Sequence, residues 1–164
     1  MPQQKPGRSE QSVGTPPEFL YAVKKRLCIG NFDVDLAADT HNAVCANYYD
    51  EQMDALADNN SWKVTQGGWA WCNPPYGKIS PWVEKASKEA AEGAHIAILV
   101  PASVGSNWWR DHVEPYAYQS FLNGRLTFLG HTSPYPKDLA LLLYTPWCFT
   151  GHEIWYWRNG LHVE

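Results

Sequence analysis

The chain has 164 residues, 45% of them apolar, and a formal charge of −4. That length suits one folded domain with its own core, and the acidic balance excludes a non-specific nucleic-acid coat, which would be basic. Four cysteines (Cys28, Cys45, Cys72, Cys148) show no CxxC spacing and no histidine at ligand distance, so no metal centre is expected and a reducing setting is. With no signal peptide and no apolar run long enough to span a membrane, the protein is expected in the cytoplasm, with no membrane partner.

The charge is unevenly spread. Residues 1–26 carry five basic and two acidic side chains, whereas 27–62 carry seven acidic ones and no basic one. One part of the surface suits phosphate and another suits a cationic ligand. Nine Trp and nine Tyr are an excess of aromatic mass, fit for a core or for flat-ring recognition.

In chain order, residues 1–14 have no periodicity and are expected to form a flexible arm. Thr15-Pro-Pro-Glu18 predicts a helix start with Thr15 as N-cap, and Phe19, Leu20, Val23 and Leu27 give its apolar face. Phe32–Ala38 is predicted as a strand, and 42–58 as mixed short helix and loop. Gly67-Gly68 turns into a strand at Trp69–Cys72. Ser80-Pro81 predicts a helix N-terminus, and that helix runs to a stop at Gly93. His95–Val100 is continuously apolar, as in a strand buried on both faces. Asn107–Val113 predicts a short helix, with strands at Tyr118–Leu122, Gly124–Phe128, Leu139–Tyr144 and His152–Trp157. The order predicts one α/β domain whose sheet finishes with antiparallel strands. Residues 15–145 form that domain, and 146–164 are an extension packed on it.

Two stretches carry chemistry. Asn73-Pro-Pro-Tyr76 removes two backbone donors and pushes Asn73 into an extended conformation, giving a stiff hook at a strand end. The Asn73 side-chain oxygen and the Pro74 carbonyl could accept both hydrogens of an aromatic amino group, directing its lone pair at an electrophile while Tyr76 stacks on the ring. The other stretch is Asp35, Ala37, Ala38 and Asp39, at the carboxyl end of an earlier strand, where open α/β sheets bind ligands. It lacks a glycine-rich dinucleotide fingerprint, and its acidity suits an ammonium or sulfonium charge.

The hook matches the Asp/Asn/Ser-Pro-Pro-Tyr/Phe/Trp motif of S-adenosylmethionine-dependent amino-group methyltransferases. The chain more closely resembles the small phage-type, Dam-like DNA N6-adenine methyltransferases. The likeness runs through Thr15-Pro16, Asp33–Asp39, Asn42, Cys45, Asp54-Ala-Leu56, Trp71–Gly77, Val100–Ala102, Gly124–Leu126, Phe128 and Ser133–Pro136. It implies a Rossmann-like class I methyltransferase fold, S-adenosylmethionine as donor, no metal, and N6 of a flipped-out adenine in double-stranded DNA as acceptor, with a GATC-like site as the family-level expectation. It implies a phage or prophage protein acting in a bacterial cell, as a monomer or weak homodimer. By that likeness Asn73, Pro74, Pro75 and Tyr76 handle the base. Thr15, Pro16, Asp35, Ala37, Ala38, Asp39, Asp54 and Leu56 line the donor site, although Asp35-Leu-Ala-Ala38 departs from the Asp-Pro-Phe-x-Gly type loop of larger relatives. Lys78, Arg110, Arg125 and Lys137 are the candidate DNA contacts. The alternatives are RNA adenine, DNA cytosine N4 or a protein glutamine as acceptor, or a non-catalytic DNA-binding protein on the same fold.

Overall fold

A computed structural model of the protein describes residues 14–65 and 67–161. The expected N-terminal arm, with Lys5 and Arg8, lies outside the described residues except for Gly14, and so do 162–164. The elements are α1 (Pro17–Leu27), β1 (Val34–Asp35), β2 (Ala70–Cys72), α2 (Ser80–Ala91), β3 (Ile96–Pro101), α3 (Asn107–His112), β4 (Ala117–Leu122), β5 (Leu139–Tyr144), β6 (Gly151–Trp155) and a 3-10 helix at Trp157–Leu161.

The six strands form one mixed sheet in the order β1-β2-β3-β5-β4-β6. β1, β2 and β3 pair in parallel, β5 is antiparallel to both β3 and β4, and β6 is parallel to β4. The antiparallel ending expected from the sequence is therefore narrower than predicted. Among the named strands β5 alone runs against the rest, and with both its edges paired, β6 joins the sheet beside β4. The carboxyl ends of β1, β2, β3, β4 and β6 and the amino end of β5 consequently share one edge of the sheet.

β3 shows why the sheet is covered on both sides. All six of its residues are buried. Ile96, Ile98 and Val100 face a cluster that includes Trp82, Val83 and Ala86 of α2 and Trp109 of α3. Ala97 and Leu99 face another with Phe19 and Val23 of α1, Leu126 and Trp157. Each large side chain so buried contributes about 1.5–3 kcal/mol, so this strand anchors both helical layers.

Several local expectations change for identifiable reasons. Pro16 occupies the N-cap of α1 with no side-chain cap, because the Thr15 hydroxyl is engaged elsewhere. α2 begins at Ser80 itself, with Ile79 as N-cap. The Phe32–Ala38 strand shrinks to two residues because its acids bond to the backbone around it. The Asp33 carboxylate accepts from Trp69 N at 3.0 Å, and that of Asp35 accepts from Ala37 N at 3.2 Å. A Cβ on Gly68 would collide with the Asp33 carboxylate, so this approach requires glycine. Residues 42–58 contain turns and one parallel bridge, Asp35 to Tyr48, and no helix. Gly124–Phe128 is not a strand: Gly124 has φ 106°, and its carbonyl accepts from the Trp157 indole at 2.9 Å.

Candidate active site

Cys72 closes β2, and the two prolines of the hook follow at once. Asn73 stands at that strand end, half-buried. Its Nδ2 donates to the Thr15 hydroxyl at 3.3 Å, and its Oδ1 is buried with no hydrogen-bond partner among the described residues. A buried amide oxygen left without a donor is costly unless something arrives to fill it. Lys78 N donates to the Pro75 carbonyl at 3.2 Å, closing the turn after the prolines.

The loop after β1 is built by its own carboxylates. Asp35, only 3% exposed, accepts from Ala37 N at 3.2 Å and Val44 N at 3.1 Å. Burial pushes its carboxyl up to about 6; those two amides pull it down, and nearby Asp39 adds to the rise. Asp39 accepts from His41 N and Asn42 N at 2.7 and 3.0 Å. Leu36 N donates to Trp71 O at 2.8 Å, so this loop and the hook leave adjacent strands side by side. Ala37 and Ala38 are both buried, and their small side chains let backbone approach a ligand. The carboxylates thus combine negative charge with a fixed loop, which fits a cationic methyl donor.

Ala38 N donates to Tyr49 O and Tyr49 N to Asp35 O, so residues 47–49 act as a further parallel edge beside β1. Asp50 follows at the carboxyl end of that edge, a carboxylate that sequence reasoning misses because no regular strand precedes it. Asp54 and Leu56 come one turn later and are tied to α2. The Lys85 ammonium donates to the carbonyls of Ala55, Ala57 and Asn60 at 2.8, 2.6 and 2.6 Å. It also lies 5.4 Å from the Trp62 ring centroid. Leu56 shares a cleft with Pro81, Glu84 and Lys85.

On the other side of the hook, the Tyr76 ring meets Tyr135 at 5.6 Å and Phe128 at 6.5 Å between centroids. Phe128 and Tyr135 meet at 5.7 Å. Both come from the segment 123–138 between β4 and β5. No periodicity marks them; the only sequence signal is their place in the family likeness. Lys78, Arg125 and Lys137 are exposed around this edge, Arg125 facing Asp138 at 3.4 Å. Arg110 is elsewhere. It is paired in two hydrogen bonds to Asp111 and lines a cleft with Trp109, Gln119, Phe121 and His152.

The tail fastens the start of the 123–138 segment and packs on α1. Arg158 donates to the Arg125 carbonyl at 3.1 Å, Asn123 N donates to Trp155 O at 2.9 Å, and Trp157 is buried beside Phe19. Among the described residues no three His, Cys, Asp or Glu gather as a metal-binding group, and no helix is long and apolar enough to cross a membrane.

Residues 6–139 match the family described as DNA N-6-adenine-methyltransferase (Dam). Two phage proteins of that name are similar to the chain. The one from Escherichia phage T1 is 29% identical over 97 residues, 59% of this chain and 38% of its own length. The one from Haemophilus phage HP1 (strain HP1c1) is 23% identical over 146 residues, 85% of this chain and 82% of its own length.

Proposed function

The chain belongs to the DNA N-6-adenine-methyltransferase (Dam) family, and from that premise we propose that it methylates N6 of adenine in double-stranded DNA, using S-adenosylmethionine. The observation that carries this reading is the buried, unpartnered Asn73 Oδ1 at the carboxyl end of β2. It is an acceptor in want of an N–H donor, in a hook whose Tyr76 ring packs on Phe128 and Tyr135. The order of the sheet, with one antiparallel strand inserted near its end, supports a Rossmann-like class I domain.

The donor supplies a methyl group on a sulfonium, with a neutral thioether as leaving group. Asn73 Oδ1 and the Pro74 carbonyl accept the two N6 hydrogens and draw the nitrogen lone pair out of conjugation. As the N–CH3 bond forms and the S–CH3 bond breaks, positive charge grows on N6, and the same two oxygens stabilise it before a proton leaves to solvent. Pro75 keeps the turn rigid, and Tyr76 lies against the base. A paired adenine cannot reach this depth, so the target is flipped out of the duplex. Asp35, Ala37, Ala38 and Asp39 form the donor side. Asp50 is the acceptor for its ribose hydroxyls, and Pro16, Asp54 and Leu56 line the periphery. Lys78, Arg125 and Lys137 contact DNA, and a GATC-like site is the expected target. The protein acts in the cytoplasm of a phage's bacterial host.

Incubation with labelled S-adenosylmethionine and DNA lacking adenine methylation, followed by digestion to nucleosides, tests this. Label in N6-methyldeoxyadenosine is expected. Label in N4-methyldeoxycytidine, or only in RNA or protein controls, overturns it. Asn73→Ala is expected to abolish transfer while donor binding persists.

A further inference from the structure

Thr15 was expected either to cap α1 or to touch the donor. The helix has no side-chain cap, and the Thr15 hydroxyl, on a residue only 6% exposed, instead accepts from Asn73 Nδ2 at 3.3 Å. We infer that Thr15 is a positioning residue for the reaction: by accepting from Nδ2 it anchors the Asn73 amide in the plane that leaves Oδ1 for the adenine amino group. This rests on the reading of Asn73 as the base acceptor.

An asparagine amide is nearly symmetric in shape but opposite in chemistry at its two ends. Turned by 180°, it would present two N–H donors to an amino group that is itself a donor, and methyl transfer would stop without any change in fold. Two prolines fix the backbone after Asn73 but do not fix the amide torsion, which is broad and two-fold. The Thr15 hydroxyl, its partner among the described residues, fixes the plane of the amide; with Nδ2 donating to it, as here, the carbonyl end is left for the base.

Thr15 is itself pinned. Leu129 N donates to the Gly14 carbonyl at 2.9 Å, and a Cβ on Gly14 would lie 2.8 Å from Leu129 Cδ1. The residue before Thr15 is thus held tight against the segment that carries Phe128. The Gly14-Thr15 pair therefore links the orientation of the hook amide to the segment bearing the rings around Tyr76.

Thr15→Val, which keeps shape and removes the hydroxyl, tests the assignment alongside Thr15→Ser and Asn73→Ala. Single-turnover methylation of adenine-unmethylated bacterial DNA, donor affinity by calorimetry and thermal unfolding are measured for each. Thr15→Val is expected to lower the methyl-transfer rate by about 10- to 100-fold with donor affinity and Tm essentially unchanged, and Thr15→Ser to recover most of the rate. An unchanged rate in Thr15→Val beside an inactive Asn73→Ala overturns the positioning role alone. Weakened donor affinity at an unchanged rate returns Thr15 to the donor pocket. A rate lost only in proportion to Tm, with no recovery in Thr15→Ser, makes it structural. If Asn73→Ala still transfers normally, the acceptor reading of the hook has failed, and the role of Thr15 falls with it.

Discussion

The rings of Tyr76 and Tyr135 meet edge to face, with centroids 5.6 Å apart and planes at 71°. Tyr76 closes the hook, and Tyr135 belongs to a segment that forms no strand or helix. Phe128 touches both rings. The face that would meet a flipped base is therefore made by two distant parts of the chain.

Loss of Tyr135 should accordingly be felt in substrate binding. Stacking of a base on an aromatic side chain is worth about 1–3 kcal/mol, so Tyr135→Ala should weaken duplex DNA binding by roughly 10-fold or more at unchanged donor affinity. Fluorescence anisotropy with a labelled duplex, compared with calorimetry of the donor, checks both halves.

With Asp35 on the proposed donor side, donor binding is expected to depend on pH. Its carboxyl lies at about 6 in the fold against an ordinary 3.8, chiefly through burial. Relative to the unfolded chain, the fold without donor thus favours the neutral form. Its stabilising contribution is complete below about pH 4 and lost as pH rises through 6, about 3 kcal/mol in all. Relative to Asp35→Asn, the wild type should therefore lose stability over that range in urea titrations without donor. A cationic donor favours the anion, so its affinity should strengthen from about pH 5 to 7 in the wild type and stay flat in Asp35→Asn. Equal pH profiles for the two proteins would exclude Asp35 as the titrating group.

Lys85 holds the 54–62 stretch by three carbonyls at once. Lys85→Met keeps much of the stem and removes the ammonium. It should cost about 2–3 kcal/mol of stability, the scale of leaving such acceptors unmet. Limited proteolysis should show new cutting between Ala55 and Asn60. A stability unchanged in urea would mean that water replaces the ammonium without cost.

Three of the four basic candidates should separate. Arg125 and Lys137 stand at the hook edge, while Arg110 is held by Asp111 in a different cleft. Removing a cation that neutralises one phosphate should lower the slope of log affinity against log salt by about 1. Arg125→Ala and Lys137→Ala are expected to do so and Arg110→Ala is not. A lowered slope for Arg110→Ala alone would put the DNA on the other side of the sheet.

What could be read from sequence divides along a physical line. β3, β5 and the hook depend on local pattern: an apolar run, its mirror at Leu139–Tyr144, and two prolines that permit few shapes. These were legible. The sequence over-extends β1: Phe32–Ala38 reads as one strand, whereas the Asp33 and Asp35 carboxylates bind neighbouring amides and the regular pairing covers two residues. Gly124–Phe128 reads as a strand between turns, but Gly124 takes a left-handed turn whose carbonyl accepts from Trp157, far along the chain. The Thr15–Asn73 bond and the Tyr76–Phe128–Tyr135 rings are long-range pairs, which no local period encodes. The irregular 47–49 edge, and with it Asp50, exists only because β1 offers it a partner.

The tail that grips Gly124 has a consequence for how this surface can be replaced. Arg158 lies across Gly124, where a Cβ would strike it, and the Gly124 carbonyl receives the Trp157 indole. The stretch that follows, with Arg125, Phe128 and Tyr135, is therefore not a free cassette. A chimera that imports 123–138 from a relative without the matching 155–158 would leave an indole donor and a guanidinium facing a foreign backbone. Exchange of this surface between relatives requires two grafts, taken from the same parent.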